Sequence, residues 1–189
     1  MNMIMSIPED CVGVVLAGGR SRRMGCDKAL LPWQGRTLLD HAIARFRHAG
    51  FATVAVSGDR PEHSGILDAY PEAGPLGGLL AVARAYQERY LVVVPVDMPK
   101  LTADWLIELA AHCEAAAATH FLGFPMPLSV KASPEVIAEL EWRLTDPGRP
   151  RAVRAWLCDL HAAALPLPTH PIDTFDNANT PENWKTMRA

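Results

Sequence analysis

The sequence has no C-x-x-C pair. Its four cysteines are Cys11, Cys26, Cys113 and Cys158, so neither a zinc ribbon nor a dithiol redox motif is indicated. A reduced, cytoplasmic chain is the simpler expectation. Cys26 is expected to be exposed in a loop, and the other three to behave as small apolar residues. The start, "MNMIMSIPEDC", lacks a cationic region followed by an apolar stretch and does not read as a signal peptide. No apolar run approaches the ~18 residues that span a bilayer, so no membrane partner is expected. Seven histidines show no metal-ligand spacing, and none is assigned a role. There is no repeat, low-complexity tract or clear linker. With a net charge of −3 the chain lacks the broad basic surface of a general nucleic-acid binder.

What is present is an ordinary globular composition, 49% hydrophobic and 21% charged over 189 residues. That length suits one domain, 1–189, with a sizeable core. The first half alternates. "CVGVVLA" (11–17) reads as a buried strand. "TLLDHAIARFRHAG" (37–50) places Leu38, Leu39, Ala42, Ile43 and Phe46 at helical spacing, with Gly50 as the stop. "ATVAVS" (52–57) reads as a strand, 75–90 as a helix opened by Pro75, and "YLVVVPVD" (90–97) as the most hydrophobic strand. A helix over 102–118 has Thr102 as its expected N-cap and Asp104 in its first turn. This β-α-β-α-β-α order predicts an α/β fold, a mostly parallel sheet in a Rossmann-like three-layer αβα sandwich. Ligands then bind beyond the carboxyl ends of the strands.

The second half is less regular. Residues 121–133 suggest short strand-like pieces broken by Pro125 and Pro127. Helices are expected over 133–144, 151–160 and 180–187, the last capped by Thr180 with Pro181 at its first position. "AAALPL" and "IDTFD" (172–176) suggest late strands.

Straight after the first strand comes "GGRSRRMGCDK". Between Gly18 and Lys28 four cations (Arg20, Arg22, Arg23, Lys28) stand against one anion (Asp27), a net of +3 in an acidic chain. The segment is not a Walker A loop: it has one residue too many between glycines, and Cys26 stands where the lysine should be. Nor does it match G-x-G-x-x-G. Yet glycines let backbone N–H groups approach a phosphate, while arginine and lysine neutralise it. Two readings stand: a solvated basic loop, or a triphosphate site, which its position after a buried strand favours.

Other candidates carry paired readings as well. Asp97, after the third strand, is placed to hold Mg²⁺ against phosphates, or to form an Asx turn. Thr102 as the helix cap would leave Asp97 to the metal. Gly74, Gly77 and Gly78 admit either a flat ligand or close helix–sheet packing. Asp68 accepts from a base or ribose, or makes a turn. Asn177 and Asn179 cap and turn, or bind substrate.

"LAGGRSRRMGCDKALL" resembles the L-A-G-G-x-x-x-R-M-G-x-D-K signature of nucleotidyltransferases, which join a phosphate or sugar phosphate to a nucleoside monophosphate. With "GPLGGL", "VVPVDMP" and the terminal "NANTPE" in the same order, the chain is most similar to the molybdenum cofactor guanylyltransferases. The resemblance implies a nucleotide-diphospho-sugar transferase type of fold, with a nucleotide-binding half (about 11–118) and a pterin-side half (about 119–189). It implies GTP and molybdopterin as substrates, with Mg²⁺. Protein partners would be other molybdenum-cofactor biosynthesis proteins and acceptor molybdoenzymes. Leu16, Ala17, Gly18 and Gly19 would meet the nucleotide through backbone; Arg23 and Lys28 the triphosphate; Asp68 the nucleoside; Asp97 the metal. Gly74, Gly78, Asn177 and Asn179 would line the pterin side, with Arg151 at the pterin phosphate. Two departures stand out. Ser57 replaces a family asparagine near the base, and 119–130 looks short and apolar where relatives have a polar strand–turn–strand. Cytidylyl or sugar-phosphate nucleotidyl transfer is the nearest alternative. A nucleotide-binding accessory protein without catalysis is the alternative of another class.

Overall fold

Every residue of Cys11–Leu16 is buried, as its unbroken apolar run predicts. This segment is β1 of a computed structural model that describes residues 7–18, 26–68, 70, 72–167, 172–178 and 180–188. Gly19, Arg20, Arg22, Arg23 and Asn179 lie outside the described residues. After β1 come the two-residue strands β2 (Pro32–Trp33) and β3 (Arg36–Thr37), then α1 (Leu38–His48) and β4 (Thr53–Ser57). Next are α2 (Pro75–Ala85), β5 (Tyr90–Pro95), α3 (Ala103–Ala111), β6 (Ala118–Phe121) and β7 (Phe124–Lys131). The chain closes with α4 (Pro134–Thr145), α5 (Val153–Asp159), β8 (Ala163–Leu165) and α6 (Pro181–Arg188).

Helix α1 begins where Thr37 Oγ1 accepts a hydrogen bond from the Asp40 amide at 3.0 Å. Its stripe of Leu38, Leu39, Ala42, Ile43 and Phe46 is buried as the spacing predicts. Phe46 lies directly on β1, in space that a side chain at Gly13 would occupy.

Six strands form one sheet in the order β4-β1-β5-β7-β6-β8. The β1–β4, β1–β5 and β6–β8 pairs are parallel, and β7 runs antiparallel to both its neighbours. The chain leaves β1 for β4 on one side and returns past it to β5 on the other. Right-handed crossovers therefore put α1 and α2 on opposite faces. Helices α1 and α3 pack together, as do α2 and α4, giving three layers. Residues Leu91–Val94 and Val12–Val15 are covered on both faces and form the centre of the core.

The structure corrects several sequence expectations. Residues 124–131 form one strand, not broken pieces: the β5 ladder begins only at Leu128, and β6 bulges between His120 and Phe121. Pro125 and Pro127 thus lie where no β5 ladder bond is needed. The preceding turn makes 118–131 a strand–turn–strand after all. Helix α3 stops at Ala111 rather than 118, because Ala118 is paired with Val130 in the sheet. Tertiary pairing wins there over alanine's helix preference. Likewise α2 ends at Ala85; beyond it Glu88 turns back to bond the Ala132 carbonyl. Residues 172–175 are a 3-10 helix rather than a strand, with Phe175 packed on Trp105 (4.6 Å between ring centroids) and stacked on Phe124 (4.4 Å). Cys158 is exposed on α5 rather than buried. Among the described residues no helix is long and apolar enough to cross a membrane.

Candidate active site

The chain reverses its direction of travel at β1, so the carboxyl ends of β1 and β5 diverge into a crevice. Leu16 pairs with Pro95 at its floor. The crevice is a cleft of about 250 Å³, a little below the usual range for ligand sites. It is lined by Leu16, Ala17, Gly18, Lys28, Ser57, Asp68, Gly74, Gly78 and Asp97. Nine residues singled out from the sequence thus meet at one place. They come from four separate stretches of chain.

Lys28 and Asp97 face each other across it, with Lys28 Nζ 2.8 Å from Asp97 Oδ2. Lys28 opens a short 3-10 helix whose cap is Asp27, its Oδ1 accepting from the Ala29 amide at 3.0 Å. Asp97 lies two residues past β5. Its loop is braced by the buried Arg45, which donates to the carbonyls of Met98 (3.1 Å) and Pro99 (2.9 Å). Loss of water around the Arg45 guanidinium lowers its pKa to about 10, still well above neutrality. Thr102 stands at the N-cap position of α3 without a side-chain capping bond. The expectation that its capping leaves Asp97 to a metal therefore loses that support. The Asp97 side chain is instead engaged by Lys28.

At the other end of the cleft, Gly78 brings the first turn of α2 against the end of β4. A side chain there would overlap Ser57 Oγ and come within 3.3 Å of Asp68 Oδ1. Ser57 Oγ and Asp68 Oδ1 are both buried without a hydrogen-bond partner among the described residues. Burial raises the Asp68 carboxyl pKa above its ordinary value. An orphaned hydroxyl and an orphaned carboxylate oxygen in one cleft match a ligand edge with N–H or O–H donors for the carboxylate and either role for the hydroxyl. Gly74 and Gly78 line the same cleft as Ser57 and Asp68, and Asn177 is not among its lining residues.

Asn177 does not line the cleft but stands next to a backbone contact with Asp97. The aromatic packing of Phe175 fixes the chain just before it, and the Ala178 amide donates to the Asp97 carbonyl at 2.9 Å. Asn177 Oδ1 is a third buried oxygen without a partner among the described residues. Arg151 is not among the residues lining this cleft; its guanidinium donates to the Leu144 carbonyl at 3.0 Å, at the end of α4. Sequence reasoning missed Asp27 and Glu72, which line the cleft. It also missed Gly58 and Arg60, which hold the strand ends beneath it. The only signal for those two was their place in "SGDR", straight after a strand.

Residues 13–162 match the model of the MobA-like NTP transferase domain. The chain belongs to the molybdenum cofactor guanylyltransferases. It is 42% identical to the molybdenum cofactor guanylyltransferase of Xanthomonas euvesicatoria pv. vesicatoria, over 97% of both chains. It is 35% identical to that of Rhizobium johnstonii, over 90% of this chain and 88% of the relative. Among solved structures, molybdopterin-guanine dinucleotide biosynthesis protein A from Archaeoglobus fulgidus superposes with a TM-score of 0.75 at 21% identity, covering 93% of this chain and 95% of that one. Members of this family are nucleotidyltransferases, and the nucleotide-diphospho-sugar transferase fold expected from the sequence is the one observed.

Proposed function

We propose that this chain transfers the guanylyl group of GTP to the terminal phosphate of molybdopterin, forming the guanine dinucleotide cofactor and pyrophosphate. The observation that carries this reading is the opposition of Lys28 and Asp97 at the crevice between β1 and β5, in a chain like the guanylyltransferases from end to end. A phosphate oxygen of molybdopterin attacks the α-phosphorus of GTP in line. The new P–O bond forms as the α–β bridge breaks, and pyrophosphate leaves with the bonding electrons. The attacking phosphate is already ionised, so the residues need only align the partners and neutralise charge.

Lys28 moves from Asp97 to the phosphates and stabilises charge on the departing pyrophosphate. Arg23, outside the described residues, is assigned the same work through the family signature. Leu16, Ala17 and Gly18 bring backbone close to the nucleotide, as Gly19 does in the signature. Ser57 and Asp68 accept from the guanine or ribose, with Gly74 and Gly78 keeping that end open. Asn177, and Asn179 by the same ending motif, serve the pterin side.

The donor set also suits Mg²⁺. Among the described residues no three His, Cys, Asp or Glu side chains cluster to hold a metal alone. One carboxylate, Asp97, lies beside the phosphate-binding lysine, and Mg²⁺ is commonly held by one or two carboxylates together with substrate phosphates. When bound, the ion would neutralise the phosphate oxygens. A cytoplasmic setting, and transfer to or from other cofactor-biosynthesis proteins and acceptor molybdoenzymes, go with this reading.

The test is pyrophosphate release with Mg²⁺ and each NTP in turn, with and without molybdopterin. Release requiring GTP and the pterin together is the expected result. Release with CTP instead, or nucleotide binding without release, would overturn it.

A further inference from the structure

The cleft depends on a side chain that does not line it. Arg60 lies in the turn after β4, and its guanidinium reaches across to both described ends of the basic segment. Nε and Nη2 donate to the Ala17 carbonyl at 3.2 and 2.8 Å. Nη1 and Nη2 donate to the two Asp27 carboxylate oxygens at 2.5 and 2.8 Å. Four of the five N–H donors of a guanidinium are engaged, in the forked geometry that only arginine offers. Arg60 is itself anchored: its carbonyl accepts from the amides of His63 (3.0 Å) and Gly65 (2.9 Å). Its side chain is only 14% exposed.

We propose that Arg60 is a positioning residue for triphosphate binding. It fixes Ala17 and Asp27 relative to one another, and through them sets Gly18 and Lys28 on the two sides of one cleft. Asp27 and Lys28 are adjacent, so a carboxylate held in two bonds restrains where the lysine side chain begins. The same contact also removes a repulsion. Asp27 lines the cleft together with Asp68, Glu72 and Asp97, an acidic wall for a ligand carrying several negative charges. The Arg60 charge against Asp27 lowers that barrier without occupying the phosphate site. This role rests on the reading of the cleft as a GTP site.

The test uses Arg60→Gln and Asp27→Asn, singly and together. With GTP, Arg60→Gln is expected to raise KM about 10-fold through misplacement of the phosphate contacts. KM for molybdopterin and the melting temperature should stay close to wild type. The double variant should be no worse than the worse single one, since both remove the same contact. Without nucleotide, the amides of Ala29, Leu30 and Leu31 should exchange hydrogen faster in Arg60→Gln. Unchanged exchange, an unchanged KM for GTP, or single effects that add in the double variant would overturn the proposal. If exchange quickens but wild-type protein does not use GTP, the GTP reading fails and the Arg60 contact stands. A matching loss of melting temperature and of affinity for both substrates would mark Arg60 as merely structural.

Discussion

Lys28 Nζ lies 2.8 Å from Asp97 Oδ2, and the two side chains are equally shielded, at 15% and 16% exposure. The two are held as an ion pair in the cleft. On the proposed mechanism, the lysine exchanges the carboxylate for phosphate oxygens when a triphosphate arrives, and the carboxylate becomes available to a cation. On that mechanism, the pair is a resting state of the same charges that catalysis uses.

Lys28→Ala should lower turnover with GTP by about 10²-fold, the usual cost of removing one preorganised charge-stabilising group. Asp97→Asn should lower it by a similar factor and blunt its response to Mg²⁺. Because the two act as a unit, the double variant should fall little below the worse single one. Steady-state pyrophosphate release measures all three. Near-normal turnover in Lys28→Ala would remove the lysine from the mechanism.

Gly58 makes a different prediction. Its φ is +110°, and a Cβ there would come within 2.8 Å of both the Cα and the amide nitrogen of Gly18. Those are backbone atoms, which cannot rotate aside. Gly58→Ala therefore combines left-handed strain with a backbone collision, and should cost about 1–3 kcal/mol in stability. It should also separate the ends of β1 and β4 and weaken GTP binding. Chemical denaturation checks the first effect and nucleotide titration the second. A variant as stable as wild type would show that the two turns can part without consequence.

Much of this site is legible in the sequence because its chemistry is local. A buried strand running into glycines and cations, and another ending at Asp97, mark the same sheet edge once the strands are taken as parallel. The element order β-α-β-α-β fixes that edge, and the apolar periodicity of 37–50 and 11–17 fixes the order. What sequence pattern hides is long-range. Nothing near Arg60 signals that its guanidinium meets Ala17 and Asp27, more than thirty residues away. Pro125 and Pro127 argue locally against a strand. Only the late start of the β5 ladder at Leu128 shows why they are tolerated. Alanines 115–118 favour helix until β7 offers Ala118 a partner. Arg151, a pterin-phosphate contact by the resemblance, is not among the residues lining the cleft and bonds the end of α4.

The cysteines divide into two classes. Cys26 and Cys158 are exposed, while Cys11 and Cys113 are buried with their sulfurs 3.8 Å apart. Burial raises both buried thiols above their ordinary pKa, which suppresses the reactive thiolate. Iodoacetamide at mildly alkaline pH should therefore label two thiols in the native protein and four after denaturation. Peptide mapping should find Cys26 and Cys158 in the native product. Rapid native labelling of Cys11 would contradict its burial against Cys113.

Asp68 sets function against stability. Its Oδ1 is buried without a partner among the described residues, and burial raises its carboxyl pKa. A raised carboxyl pKa means that the folded state holds the proton more tightly than the unfolded chain does. The charged form is therefore the destabilising one. The penalty is fully present above the folded-state pKa, shrinks as pH falls through it, and is gone below the unfolded value. Asp68→Asn should accordingly melt higher than wild type at neutral pH, with the gain fading as pH drops through the carboxyl range. If Asp68 faces the nucleoside as proposed, the same variant should bind GTP more weakly, because an acceptor is replaced by a group that also donates. Melting curves from acid to neutral pH, paired with KM for GTP, test both halves. A variant less stable than wild type at neutral pH would show that the carboxylate has a partner within the fold, and its assignment to the nucleoside would fall.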